Sequence, residues 1–439
     1  MRIRLFVLCT VAYSISFWCA ATLPAQAAAP PTPAAVAGLT IEEALDHAFQ
    51  NRQELKAFQA DLEAAALKLK HAGRPPNPEL GVEWDNLGGD LPADEVRETT
   101  VSLSQPFELG GKPSARKNKG QAEILRLQQE ETAARLDIAA EVKMAFLAAL
   151  VARERLALQQ EAERIASELA GLTHERVAAG ELAATEETRA AAGKAEAMAE
   201  TQKHQRLLAE ADLDLAVTIA APDNTTVTAL GDLPQEIAIP DRQSLLAGME
   251  DSPLLALRRS ESKLAAAGLA LEQADAWSDP TLSLGVRQIA EEDARAVSIG
   301  LSIPLPFFQR NQEARAEAGA AVHKAATNEE ATARRLQTEL IKAHTQLAAA
   351  DQEARTWRNE VLSRAAEAAE AVREGFRAGK FRYSDVLEAS QSLVTVKASH
   401  LDAILELNRA AIAIERLLGK PSAPATSRNS SHHFTGSNP

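Results

Sequence analysis

Hydrophobic and polar positions along this chain change period several times, and the changes come in the same order twice. Residues 41–72 carry Leu45, Phe49, Leu55, Leu62 and Leu69 at helical spacing. Thr40 and Glu43 form a capping-box pair at the start of that stretch, and Gly73-Arg74-Pro75-Pro76-Asn77-Pro78 ends it. The period then falls to two. Leu80, Val82 and Trp84 share one face of a first strand, Val101 and Leu103 share one face of a second, and an acidic loop over 85–98 separates them. After Gln105-Pro106-Phe107-Glu108-Leu109-Gly110-Gly111-Lys112-Pro113 the pattern turns helical again over 112–177, a stretch that would be roughly 100 Å long. Met144, Val151, Leu158, Ile165 and Leu172 recur within it at heptad spacing, which is the seam of a coiled coil. Gly180 supplies a left-handed terminator and residues 185–219 run back, so the spacing predicts a helical hairpin.

The pattern then repeats. A helix over 245–277 stops at Ser278-Asp279-Pro280, and Leu282, Leu284 and Val286 alternate, as do Val297, Ile299, Leu301 and Ile303 across a second acidic loop. Ile303-Pro304-Leu305-Pro306-Phe307-Phe308 leads into a helix over 311–377, whose seam runs through Leu336, Leu340, Ala343, Leu347, Ala350, Ala354, Trp357 and Val361. Gly379 breaks it and residues 383–418 return. Pro78 with Pro280, Pro106 with Pro304 and Gly180 with Gly379 form an ordered series of matches, which chance does not readily supply. The expected division is a leader over 1–28, a first repeat over 29–220, a linker over 221–243, a second repeat over 244–419 and a disordered tail over 420–439.

Composition narrows the function. Aromatic residues are only 4% of 439, which suits long helices in register better than thick cores. The net charge of −14 argues against a nucleic-acid partner. Arg2 and Arg4, an apolar run and small residues near Ala27 read as a secretory signal peptide. An alternative is acylation at Cys19, although bulky Phe17 and Trp18 precede it. Both cysteines, Cys9 and Cys19, lie in this leader, so cleavage would leave no thiol for disulfides or thiolate metal sites. Beyond the leader no apolar run is long enough for a membrane-spanning helix, so any crossing must be made by strands.

Four strands cannot close a barrel, and an open edge in lipid leaves backbone groups unsatisfied at several kcal/mol each. Several copies must therefore pool their strands, which predicts an oligomeric tube embedded at the strands and projecting along the hairpins. Taken alone, the strands also fit a small soluble hairpin. A periplasmic adaptor and a coiled-coil scaffold are rival readings: an adaptor carries one hairpin where this chain has two, and a scaffold leaves the four alternating segments without a purpose.

The duplicated pattern from Leu39 to Leu418 resembles TolC-type outer-membrane efflux channels. Gln105-Pro-Phe-Glu-Leu-Gly-Gly-Lys112 with Arg74-Pro-Pro-Asn-Pro78 resembles the heavy-metal branch, of the cobalt-zinc-cadmium and copper-silver type. The resemblance implies a mainly α fold with a small transmembrane β part. It implies a homotrimer whose twelve-stranded β-barrel continues into an α-helical periplasmic barrel, in the outer membrane of a Gram-negative bacterium. Its implied partners are a periplasmic adaptor and an inner-membrane RND-type pump, and drug efflux or type I protein secretion are alternative duties. The implied adaptor-docking tips are Ala179-Gly180-Glu181-Leu182 and Ala378-Gly379-Lys380-Phe381, with Ala where the family usually has Val before each Gly. Asp385 and Glu388 match the acidic residues that ring the closed entrance, and Glu186 matches an acid that bonds a neighbouring helix. No catalytic motif, cofactor or metal site is expected. The histidines are scattered, and His432 and His433 are adjacent in the tail.

Overall fold

The computed structural model describes residues 37–85, 98–222, 225–289 and 294–420. The expected leader with Cys9 and Cys19, most of the two acidic loops, and the tail with His432 and His433 lie outside these residues.

In the first half, β1 (Ala37–Leu39) precedes α1 (Ile41–Asn51) and α2 (Gln53–Ala72). Then come β2 (Glu79–Asp85), β3 (Glu98–Pro106), the 67-residue α3 (Lys112–Ala178) and α4 (Ala184–Thr218). The stretch read as one helix over 41–72 is two. Its break falls at Arg52, which is extended (φ −60°, ψ 125°) and donates to the Thr218 carbonyl at 3.1 Å and to Glu141 at 2.9 Å. Tertiary hydrogen bonds made by one side chain thus override a continuous apolar stripe.

β4 (Val227–Ala229) lies inside the expected linker and pairs in parallel with β1. The second half has α5 (Arg242–Gly248), a short 3₁₀ turn, α6 (Pro253–Asp275), β5 (Thr281–Ile289) and β6 (Ala294–Ser302). It ends with α7 (Gln312–Thr356), α8 (Ser363–Arg377) and α9 (Tyr383–Leu418). The helix expected over 245–277 is interrupted at Ser252, because Pro253 can stand only in a helix's first turn. The helix expected over 311–377 contains a π-helical segment, Trp357–Leu362. Its apolar positions explain the bulge: Trp357, Val361, Ala365 and Ala369 step by four without the compensating three, and one extra residue per turn keeps them inward.

The four long strands form one antiparallel sheet in the order β2-β3-β5-β6. Its register places Leu80 beside Leu103, then Leu284 and Ile299, and places Val82 beside Val101, then Val286 and Val297. Alternation on each strand thereby becomes one apolar face across the sheet, and that face is exposed, with Ile299 76% accessible. The opposite face carries Glu83, Thr100, Ser102, Ser283, Gly285, Ser298 and Gly300, which makes it small and polar.

The helices bury their seams against one another. Leu336, Leu340, Ala343, Leu347, Ala350 and Ala354 of α7 pack with Leu407, Ala411 and Ile414 of α9. Val142, Phe146 and Leu150 of α3 pack with α1 and with Leu215 of α4. Ion pairs Arg416–Asp137, Lys143–Glu415, Arg155–Asp402 and Arg377–Glu168 run along the line where the two hairpins meet. The linker straps the bundle through Arg153 to the Ala229 and Gly231 carbonyls, and through Asn408 to the Pro234 carbonyl.

Candidate functional site

Two levels of the molecule carry chemistry: the joint where sheet becomes helix, and the hairpin tips. At the first joint the Phe107 N–H donates to the Pro280 carbonyl at 2.8 Å, and the chain then leaves the sheet. Gly110 and Gly111 turn it with φ of +71° and +76°. A Cβ at Gly110 would lie 2.6 Å from the Trp277 ring and 2.8 Å from the Ala274 carbonyl, so only glycine fits there.

Lys112 then opens α3 and meets Asp279 at 2.6 Å, while the other Asp279 oxygen accepts the Leu109 N–H at 2.9 Å. Arg116, one turn further on, bonds both oxygens of Glu108 at 2.5 and 2.7 Å and donates to the Ala72 carbonyl at 2.7 Å. Two cations thus tie together the end of α2, the turn after β3 and the turn before β5. The hydrogen bond from Arg116 holds the Glu108 carboxyl below its ordinary range. Burial alone would raise Asp279, but bonds from Lys112 and Leu109 outweigh it and lower that group too.

At the second joint Asn311 takes the left-handed position (φ +58°) and its amide donates to Glu272 at the carbonyl (3.0 Å) and the carboxylate (2.8 Å). Ile303, Leu305, Phe307 and Phe308 before it are exposed, Phe308 by 92%. With Phe107 and Trp277 they form an aromatic and aliphatic belt at the sheet's base, and Trp84 stands at the other end of the apolar face.

At the far end, both expected tips are left-handed glycine turns of one kind. Gly180 (φ +76°) donates to the Val177 carbonyl at 3.0 Å and Glu181 to Arg176 at 2.9 Å; Gly379 (φ +75°) donates to Phe376 at 2.9 Å and Lys380 to Gly375 at 2.8 Å. Each pair is a Schellman cap, which explains the glycine locally. Ala179, Glu181, Ala378, Lys380 and Phe381 are exposed around these turns, and Leu182 is half-buried. Phe381 lies over Gly375, where a Cβ would collide with its ring.

Arg176 joins the two tips, and no sequence motif marks it. Its guanidinium sits 5.2 Å from the Phe376 ring centre and donates to the Phe376 carbonyl at 3.3 Å. Behind the tips Phe376, Tyr383, Val386, Ile165, Leu169 and Ala190 form a small core. Tyr383 is 3% exposed, and its hydroxyl fits where Gly193 has no side chain.

The expected entrance acids divide. Asp385 accepts the Arg382 N–H at 2.9 Å and so caps the start of α9, while Glu388 is exposed one turn further along the same face. Within the chain Glu186 meets Arg189 of its own helix at 3.3 Å. Among the described residues no group of three or more His, Cys, Asp and Glu side chains could hold a metal ion. His47 and His344 bond the Ile219 and Pro240 carbonyls, each at 3.1 Å, which are structural roles.

Comparison with known proteins gives these features a common frame. Residues 44–220 and 254–420 match the family model "Outer membrane efflux protein". The chain is 31% identical over 382 residues to the cobalt-zinc-cadmium resistance protein CzcC of Cupriavidus metallidurans, covering 87% of this chain and 90% of that protein. A crystal structure of a membrane protein from Pseudomonas aeruginosa superposes with TM-score 0.72 at 20% identity, covering 87% and 90% of the two chains. The outer membrane protein VceC of Vibrio cholerae superposes with TM-score 0.69 at 20% identity, covering 87% and 97%. The family match takes in both halves, each with its strand pair and long hairpin, and the chain therefore belongs to the outer membrane efflux protein family.

Proposed function

We propose that this protein is the outer-membrane exit duct of a tripartite efflux system for heavy-metal cations, working as a homotrimer with a periplasmic adaptor and an inner-membrane RND-type pump. One observation carries the reading: a sheet with an apolar outer face, a polar inner face and two free edges is continuous with helices of up to 67 residues. Four antiparallel strands end with β6 running opposite to β2, so β6 of one copy can pair with β2 of the next and keep the alternation. Three copies make a barrel wide enough to hold water. The name of CzcC and the Gln105 to Lys112 motif point to metal cations as cargo. The pump supplies the work.

The tips Ala179-Gly180-Glu181-Leu182 and Ala378-Gly379-Lys380-Phe381 are the adaptor-docking surface in this reading. Around the trimer axis Asp385 and Glu388 contribute six carboxylates, favouring cations and opposing anions at close range. Since Asp385 also caps its helix, Glu388 carries the freer charge. Glu186 is available to a neighbouring helix when Arg189 releases it. Gene deletion should lower the zinc, cobalt or cadmium concentration that stops growth, with the wild-type gene restoring it. Unchanged tolerance to every metal tried would reject the cargo. In planar bilayers Glu388→Gln should reduce the preference for cations, and identical selectivity would reject the acidic ring.

A further inference from the structure

The segments packed together just below the sheet differ in charge between the two halves. Residues 64–78, the end of α2 and the turn after it, contain Lys68, Lys70 and Arg74 and no acid. Residues 109–122, the start of α3, contain Lys112, Arg116, Lys117 and Lys119 and again no acid. Lys112 and Arg116 are committed to Asp279 and Glu108. Lys68, Lys70, Arg74, Lys117 and Lys119 are exposed, and among the described residues none of them makes an ion pair. The matching stretches of the second half, 264–278 and 309–322, are mixed, with Glu272, Asp275, Glu313 and Glu317 against Arg310 and Arg315.

These five cations lie on both flanks of the seam between α2 and α3, Lys68 and Lys70 on either side of Leu69. α2 and α3 pack with Leu69 against Gly120, and a groove of about 550 Å³, bordered also by Leu264 and Leu271 of α6, is lined by both Lys68 and Lys119. The Lys117 stem crosses over Gly73, whose missing side chain leaves it room, beside Arg74. Asp61 closes the lower end of the groove, and Glu123 within it is taken up by Arg126 at 2.9 Å. Lys119 lies seven residues into α3, so the patch falls within about 10 Å of the start of that helix, just below the joint with the sheet. The belt of Phe107, Trp277, Phe307 and Phe308 marks the membrane surface at that level.

We infer that this patch binds the headgroups of anionic phospholipids in the periplasmic leaflet of the outer membrane, three patches per trimer. The position selects the occupant. Basic side chains within a Debye length of a lipid surface, beside an aromatic belt, meet phosphate before any other partner. The patch stands out because the protein as a whole carries a net charge of −14. The inference rests on the membrane placement of the sheet. Release of the protein by carbonate would remove both, whereas an embedded protein without lipid preference would remove the patch alone.

The test offers the detergent-solubilised trimer equal amounts of phosphatidylglycerol and phosphatidylethanolamine and counts retained lipid by native mass spectrometry. Wild type should retain phosphatidylglycerol in about tenfold preference. Raising salt to about 1 M, where the Debye length is roughly 3 Å, should erase that preference. The combined Lys68→Gln, Lys70→Gln, Arg74→Gln, Lys117→Gln and Lys119→Gln variant should lose it, and a variant with the four lysines changed to Arg should keep it. Should the Gln variant fail to assemble, the salt response of wild type and the Arg variant decide alone. Equal retention of the two lipids by wild type, a preference that survives salt, or a Gln variant that keeps it would overturn the inference. So would a Gln variant that keeps the lipid preference and loses only the adaptor, since the patch would then belong to a protein partner.

Discussion

The two joints solve one geometric problem with different chemistry. Each places a left-handed residue immediately before a long helix, Gly111 ahead of α3 and Asn311 ahead of α7. At the first joint, charged side chains bind the subunit to itself through Lys112–Asp279 and Arg116–Glu108, beside the exposed Phe107 and Leu109. At the second, Ile303, Leu305, Phe307 and Phe308 turn outward. The left-handed residue is kept while the side chains differ: ion pairs brace the first joint, and the second, held by Asn311 to Glu272, presents the larger apolar surface outward.

The largest effect should come from the brace. Lys112→Met strands Asp279 without its cation in a mostly buried position and should cost about 2–3 kcal/mol, read as a lower melting point of the solubilised protein. Exchanging the pair, Lys112→Asp with Asp279→Lys, should recover part of the loss. Acid probes the same contact. Glu108 and Asp279 titrate below their ordinary range when folded, so the stability they add is present above the usual carboxylate pKa values and is lost as pH falls through the lowered ones. The melting point of wild type should drop on acidification below about pH 4 more steeply than that of an Asp279→Leu, Lys112→Met, Glu108→Leu, Arg116→Met variant.

Next comes the turn. Gly110→Ala meets a ring and a carbonyl as well as an unfavourable φ and should cost about 2–3 kcal/mol, whereas Gly111→Ala, with open space around it, should cost only about 1–2 kcal/mol. Equal losses would mean that Trp277 does not hold Gly110. At the second joint Asn311→Ala should cost about 1 kcal/mol through lost bonds to Glu272, and Asn311→Gly less, because glycine relieves the backbone. The smallest stability change belongs to Phe308→Ser, within about 0.5 kcal/mol because the ring touches little of its own chain. Its effect should appear instead in how firmly membranes retain the protein during detergent extraction.

Much of this was legible in the residue pattern. Period-two alternation marked β2, β3, β5 and β6, because each strand has one apolar face and one polar face. The two glycine turns were legible because a Schellman cap demands φ above zero. Interruptions with tertiary causes were not. The break at Arg52 depends on a carbonyl 166 residues away. The β1–β4 pair joins segments of three residues each, too short to show a period. Ser252-Pro253 did carry a signal, and the run of fours at Trp357 is visible once a π turn is considered. At the tips, Asp385 was read as an entrance acid without its duty as a helix cap, since a capping residue and a pore-lining residue look alike in sequence. Arg176 has no motif, and Phe376, which it joins to its own tip, belongs to the other half of the chain.

The free edges of the sheet bear on how the protein is made. β2 and β6 each have one partner within the chain. A lone protomer entering lipid would expose two rows of peptide groups at several kcal/mol each, a barrier that no apolar outer face offsets. If copies pool their strands as proposed, insertion and oligomerisation are one event rather than two in succession, because a single copy would have no stable membrane state in which to wait. A defective subunit able to pair through one edge alone would arrest its wild-type companions before they reached the membrane, so edge lesions should be dominant in cells that express both forms.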